Sequence, residues 1–212
     1  VTTLLSKFKK PFDTEKIATR YAAKNGLRAE DVIADWERKN KEATFKGSEL
    51  HKYAEYKFSN KNYDIDIFSG AQPLCGQIDK FYDDNKGILI PVKVEFVIGD
   101  YSIGICGTLD KLFYNTRRKC LEVWDYKTNK NISKFNKYSN RMTNGLSHLI
   151  ECEFNTYSLQ TSIYRKIIEK NTGIKLGDSY VCWVNESNES YKVIKMDYLE
   201  KEVGIIFNSL AA

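Results

Sequence analysis

The segment GTLDKLFYNTRRKCLEVWDYKTNK, positions 107–130, places Asp110, Asp125 and Lys127 where an ordinary core hairpin would carry apolar side chains. On a strand, residues i and i+2 share a face. Leu121, Val123, Asp125 and Lys127 therefore point one way, and Glu122, Trp124 and Tyr126 the other. An apolar face that turns into Asp and then Lys describes a core strand emerging into a cleft. In the preceding strand Thr108, Asp110 and Leu112 share a face, and a hairpin around NTRRK brings Asp110 within reach of Asp125. Two carboxylates that close repel each other unless a proton or a cation lies between them. Mg2+ suits such a gap, because it prefers carboxylate and water oxygens and keeps positions open for phosphate. Taken alone, Asp-x-Lys is a common tripeptide and reads as a surface ion pair. Its spacing and company change that reading.

The elements that must hold these residues follow from periodicity. Asp13 or Thr14 can cap a helix that runs to Gly26, and a second helix carries Val32, Ile33 and Trp36 at helical spacing. A third is expected to begin at GSELHKYAEYKF, capped by Ser48, with Leu50, Tyr53, Ala54 and Phe58 as its apolar stripe. AQPLCGQIDKFYDD spaces Leu74, Ile78, Phe81 and Tyr82 by threes and fours behind Pro73, which predicts a short helix. The period then changes to two. ILIPVKVEFVI, YSIGICGTLDKLFY and KCLEVWDYKT are rich in β-branched and aromatic residues and are separated by turn signals, the pattern of a meander. The polar stretch NISKFNKYSNRMTNGLSH reads as an irregular connection, whose Lys134, Lys137, Arg141 and His148 could grip phosphates. A long amphipathic helix closed by Gly173, two strands (DSYVCWVN, SYKVIKMD) and a last helix from about Tyr198 complete the chain.

GTLD followed by DYK, with Asp125 fifteen positions after Asp110, resembles the core of the PD-(D/E)XK nuclease superfamily. Further elements are similar to its RecB-type branch. Gly47-Ser-Glu-Leu-His51 resembles the branch's helical histidine motif, and Glu95 stands one strand before GTLD. Gln160-Thr-Ser-Ile-Tyr164 resembles its Q-x-x-x-Y helix. These elements occur in order and span about residues 36–170. The resemblance implies an α/β fold with a central mixed β-sheet flanked by helices, a restriction-endonuclease-like core. It implies that Asp110 and Asp125 ligate Mg2+, which Mn2+ can replace, helped by the backbone carbonyl of Tyr126. His51 would add an imidazole ligand, and Glu95 would hold a second ion or its water. Lys127 would orient and deprotonate the attacking water. Gln160 and Tyr164 would brace Lys127 and meet the DNA backbone. Beside the resemblance, Tyr157 and Arg141 are expected as further substrate contacts. The resemblance thus implies a DNA-hydrolysing enzyme, an end-dependent exonuclease preferring single strands in repair or recombination, with a helicase or recombinase as possible partner. The four-cysteine cluster of the iron–sulfur-containing relatives is absent.

Composition frames these expectations. The chain has 212 residues, 42% hydrophobic and 29% charged, which predicts one domain with an N-terminal helical part (about 1–84) covering the cleft. No apolar run approaches the roughly 18–20 residues of a membrane span, and no leader pattern opens the chain, so a soluble cytoplasmic protein is expected. The five cysteines are scattered without a C-x-x-C pair, which disfavours zinc ribbons and a disulfide framework. A net charge of +5 is a mild bias toward anionic partners, and fourteen tyrosines offer base-stacking surfaces. Three alternatives stand beside the exonuclease. They are a catalytically silent nucleic-acid-binding module on the same fold, a structure-specific endonuclease, and a metallohydrolase acting on small phosphoesters.

Overall fold

The computed structural model describes residues 1–59 and 68–211. A short helix α1 (Thr2–Ser6) precedes α2 (Thr14–Asn25), α3 (Ala29–Phe58) and α4 (Gln72–Asn85). The strands β1 (Leu89–Asp100), β2 (Ile105–Asn115) and β3 (Cys120–Lys127) follow, then α5 (Glu153–Thr172), β4 (Ser179–Trp183), β5 (Lys192–Met196) and α6 (Glu200–Ala211). The strands form one five-stranded sheet in the order β1-β2-β3-β4-β5. Neighbours are antiparallel except β3 and β4, which are parallel. A parallel pair cannot be joined by a tight turn, and α5 supplies the crossover. The fold is α/β, a mixed sheet flanked by helices.

The sheet divides the core into two layers. Leu109, Leu112 and Val123 face Leu159, Ile163 and Ile167 of α5, together with Val203 and Ile206 of α6 and Leu4 and Leu5 of α1. Phe113, Trp124 and Tyr126 pack with Leu50, Tyr53, Ala54 and Phe58 of α3 and with Leu74, Ile78 and Phe81 of α4. Each fully buried Leu or Ile contributes roughly 1.5–3 kcal/mol, so α5 and the second half of α3 are clamped to opposite faces of the strands that carry Asp110 and Asp125.

Helix ends follow local chemistry. Asp13 accepts the N–H of Lys16 to cap α2, and Gly26 and Gly173 close α2 and α5 in the left-handed conformation. Two expectations need correction. Ser48 caps nothing, because α3 runs unbroken through Gly47 and Ser48 for 30 residues. A single glycine inside a helix costs only about 1 kcal/mol, less than the burial of Leu50, Tyr53 and Phe58 supplies. The second strand does not begin at Tyr101. Residues Tyr101–Ile103 form a 3-10 turn, because Asp100 accepts the Ser102 N–H at 3.0 Å and Gly104 takes φ 64°. The helix α1 carries too few residues to show a period. Among the described residues no helix is long and apolar enough to cross a membrane.

Candidate active site

The acidic residues meet at one end of the sheet. Lys111 pairs with Trp124 and Leu112 with Val123, so Asp110 and Asp125 occupy the next opposed positions as β2 and β3 separate. The Asp110 carboxylate takes over from the ladder, with Oδ2 accepting the Tyr126 N–H at 2.9 Å. On the other side of β2, Val94 pairs with Lys111 and Phe96 with Leu109, which sets Glu95 beside Asp110. Glu95 itself is unpaired and has φ 45°. A non-glycine residue in that region costs on the order of 1–3 kcal/mol and persists only where its surroundings enforce it. Glu95 Oε1 is buried with no hydrogen-bond partner among the described residues. A strained backbone that delivers an unsatisfied carboxylate into a cleft suits a ligand position.

The α3 stripe that buries Leu50, Tyr53 and Ala54 turns His51 over these strands. His51 Nδ1 lies 3.1 Å from Asp110 Oδ2 and 3.9 Å from Glu95 Oε1, and the ring meets Tyr126 edge-on at 6.2 Å. One ligand atom each from His51, Glu95 and Asp110 lies within 4.8 Å of the others. One imidazole nitrogen and two carboxylate oxygens are a donor set that a divalent first-row ion accepts readily. Burial opposes an imidazolium here, but Asp110, with Glu95 and Asp125, outweighs it and raises the His51 pKa to about 10. Burial also opposes ionisation of Asp110, yet His51 and Lys127 hold its carboxyl down at about 2. Asp125 is pushed up to about 6 by burial and by the Asp110 charge, against the pull of Lys127 and His51. A site that holds one carboxylate low, a neighbour high and an imidazole charged carries an excess of negative charge that a cation would relieve.

Lys127 ion-pairs with Asp125 Oδ2. Burial disfavours its charge, but Asp125 and Asp110 raise its pKa above the ordinary lysine range. Its Nζ also lies 4.9 Å from the centre of the Tyr157 ring. From α5, Gln160 Nε2 donates to Asp125 Oδ1 at 3.4 Å, and Tyr164 stands one turn further along the same helix. Tyr164 in turn lies against Gly107, where an added Cβ would stand 3.0 Å from its Cε1. The structure thus brings His51, Glu95, Asp110, Asp125, Lys127, Tyr157, Gln160 and Tyr164 to one place. The Tyr126 side chain is buried in the α3–α4 core, and its N–H serves Asp110.

Arg141 stands apart. Its guanidinium donates to the His148 carbonyl at 3.0 Å, and its backbone bridges to Ile150 within the 131–150 connection. Two residues not singled out from the sequence support the site, one within it and one behind it. Asn129 Oδ1 accepts the Tyr157 hydroxyl at 2.6 Å, while its carbonyl accepts from Trp183 Nε1 and Asn185 Nδ2, both at 2.7 Å. Asn129 thereby fixes the ring that covers Lys127. Lys111 is fully buried with no hydrogen-bond partner for its Nζ among the described residues, and that Nζ lies 5.7 Å from the centres of both the Phe58 and the Tyr126 rings. Alternation puts Lys111 on the face opposite its neighbour Asp110, a position that a reader of strand period would assign to the core.

No protein-family model matches this chain, and no curated protein matches it. Among solved structures, the chain is similar to one from Eubacterium rectale named "putative exonuclease", at 13% identity and a TM-score of 0.37. That match covers 79% of this chain, which spans 64% of the length of the other.

Proposed function

We propose that this protein is a metal-dependent nuclease that hydrolyses phosphodiester bonds of DNA. The observation that carries the reading is the convergence of His51, Glu95 and Asp110 beside the Asp125–Lys127 pair, with Glu95 both strained and unsatisfied. The sequence resemblance to RecB-type nucleases supports it independently. His51, Glu95 and Asp110 would hold the ion, and Asp125 would join them or bind its water. A divalent cation there, Mg2+ or Mn2+, supplies charge neutralisation for the phosphate and acidifies a nearby water. Lys127, oriented by Asp125 and covered by Tyr157, positions the attacking water and receives its proton once the surrounding carboxylates are charge-compensated. Gln160 fixes the Asp125 carboxylate from the α5 side, so the lysine and its partner keep one geometry while substrate enters.

The finer reading is an exonuclease that needs a free end and prefers a single strand. The test is digestion of end-labelled linear single- and double-stranded DNA with Mg2+, with Mn2+ and with chelator. Ladder-free release of terminal nucleotides from the single strand, abolished by chelator, is expected. Metal-dependent release of phosphate from a small phosphomonoester, with both DNA substrates left intact, would replace the nuclease with a phosphoesterase.

A further inference from the structure

The 131–150 connection does not present its cations as a phosphate grip. Lys134 Nζ lies 4.2 Å from the Phe154 ring centre and Lys137 Nζ 4.8 Å from that of Tyr138. Arg141 is held by the His148 carbonyl, and the His148 ring by Glu202. What the segment does present is aromatic: Phe135 is 78% exposed and Tyr138 71%. Isolated exposed aromatics are ordinary, but these two line one groove of about 500 Å3 with Asn131 and Glu153. Asn136, Glu151, Cys152 and Glu153 also line a second cavity of about 300 Å3, which reaches Asn129 and Tyr157. The two cavities share Asn136, Glu151, Cys152 and Glu153, and the one lined by Tyr157 lies beside the ring that covers Lys127.

The far side of the same backbone differs. Thr128 and Lys130 line a cavity of about 460 Å3 against Lys39 and Lys46 of α3. Lys46 pairs with Glu186 and Lys39 with Asp35, while Lys130 has no ion-pair partner among the described residues. The chain leaving β3 therefore forms a ridge one residue thick. Its even-numbered residues, Thr128 and Lys130, line a groove where Lys39, Lys46 and Lys130 outnumber Glu42 and Glu186, and its odd-numbered ones, Asn129 and Asn131, line the amide-and-aromatic groove, where Lys9 and Lys137 face Glu151 and Glu153. With Glu151 and Glu153 offsetting Lys9 and Lys137, the second groove carries no excess of cations for phosphate, and its carboxylates and amides suit the donors and acceptors of base edges.

We propose that the groove walled by Phe135 and Tyr138 is a binding site for unpaired nucleobases of a strand whose phosphates lie on the Lys130 side of the 128–131 ridge. This rests on the nuclease reading and names its substrate more closely. In a duplex the bases are paired and stacked inside, so no base face can enter a groove separated from the phosphate groove by one chain. A single strand can turn its bases one way and its phosphates the other, and stacking on aromatic rings is tolerant of sequence.

The test measures binding of the full chain in chelator, where no turnover occurs. The probes are a fluorescent oligodeoxynucleotide of about fifteen nucleotides, its duplex, and an abasic strand of equal length. The intact protein is expected to bind the base-bearing strand more tightly than the abasic strand or the duplex. Phe135→Ala with Tyr138→Ala should weaken the base-bearing strand by about 10–100-fold and leave the abasic strand unchanged. Lys130→Ala should weaken both strands alike and reduce the salt dependence. Equal affinity of the intact protein for base-bearing and abasic strands, or a base dependence that survives loss of both rings, overturns the proposal. Base-dependent binding without metal-dependent cleavage would instead overturn the nuclease reading and leave the groove standing.

Discussion

His51 Nδ1 lies 3.1 Å from Asp110 Oδ2, and this contact joins the long helix α3 to the centre of the sheet. In the metal-free protein it is an ion pair, because the His51 pKa is raised to about 10. A metal must therefore displace a proton to use that imidazole. Titration of Mn2+ at pH 8, in two buffers of different ionisation enthalpy, should report release of close to one proton per ion. Affinity should rise with pH by up to about tenfold per unit until His51 is neutral. His51→Ala should bind more weakly and lose both the proton release and the pH slope. If the variant binds and releases protons as the intact protein does, His51 is not a ligand.

Breaking the Lys127–Asp125 pair should separate chemistry from metal binding. Asp125 is 2% exposed, and a buried carboxylate deprived of its cation is expensive. Lys127→Met should lose about 3–5 kcal/mol of stability at pH 8. The loss should be smaller at pH 5, below the Asp125 pKa of about 6, where Asp125 takes up a proton instead. Thermal melts at the two pH values check the sign. The folded variant should retain Mn2+ affinity and show no cleavage. Loss of metal together with activity would make Lys127 part of the ligand arrangement and not the group that receives a proton.

The parts of this site visible in the sequence are those governed by period and turn. Alternation placed Asp125 and Lys127 on one strand face, and the hairpin around NTRRK implied that Asp110 opposes Asp125, as the β2–β3 register has it. Caps at Asp13, Gly26 and Gly173 were equally local. Glu95 could be placed in its strand, but not its left-handed backbone, which depends on β2 and the cleft together. The break expected at Ser48 followed a local cap signal that burial of the α3 stripe overrode. Asn129 was invisible because its partners Tyr157, Trp183 and Asn185 come from three later segments.

Lys111 offers a test of what buried charge does beside this site. Burial lowers its pKa to about 8, against the pull of Glu95, Asp110 and Glu55. A lysine with a depressed pKa imposes a destabilisation that is complete below the folded pKa and vanishes above the unfolded value of 10.5. Lys111→Met should therefore be more stable than the intact protein by roughly 1–3 kcal/mol at pH 7, with the gain shrinking by pH 10. Denaturant titrations at both pH values measure it. A variant that is destabilised at pH 7 would show that the rings of Phe58 and Tyr126 compensate the charge fully.

Gln160 and Tyr164 should matter to turnover more than to stability. Gln160 holds the Asp125 carboxylate, and Tyr164, one turn on, rests on Gly107. Gln160→Ala removes one hydrogen bond, contributing about 0.5–1.5 kcal/mol, and Tyr164→Phe removes only a hydroxyl, so melting temperatures should move little while kcat falls. Gly107→Ala should reproduce the loss from the other side, because its Cβ would stand 3.1 Å from the Tyr164 hydroxyl oxygen and displace it. A lowered melting temperature with a normal rate per folded molecule would mark the pair as packing only.

The strongest demand falls on the choice of a free end. At Gly47, α3 passes the end of β3, where an added Cβ would lie 3.7 Å from Thr128 Oγ1. The helix continues from there back to Ala29, eighteen residues (29–46) or about 27 Å. Ala18 and Ala22 of α2 pack on Val32 of that extension. This hairpin on one side and the 131–150 connection on the other are the elements available to roof the path past Lys127. A roofed path admits a flexible strand threaded from its end and excludes one that has no end. With equal Mg2+, a linear single strand should be degraded at least an order of magnitude faster than the same strand covalently closed into a circle. Degradation of both at similar rates would mean that the cleft opens sideways and the protein is an endonuclease. In that case the α2–α3 hairpin flanks the substrate and does not cover it.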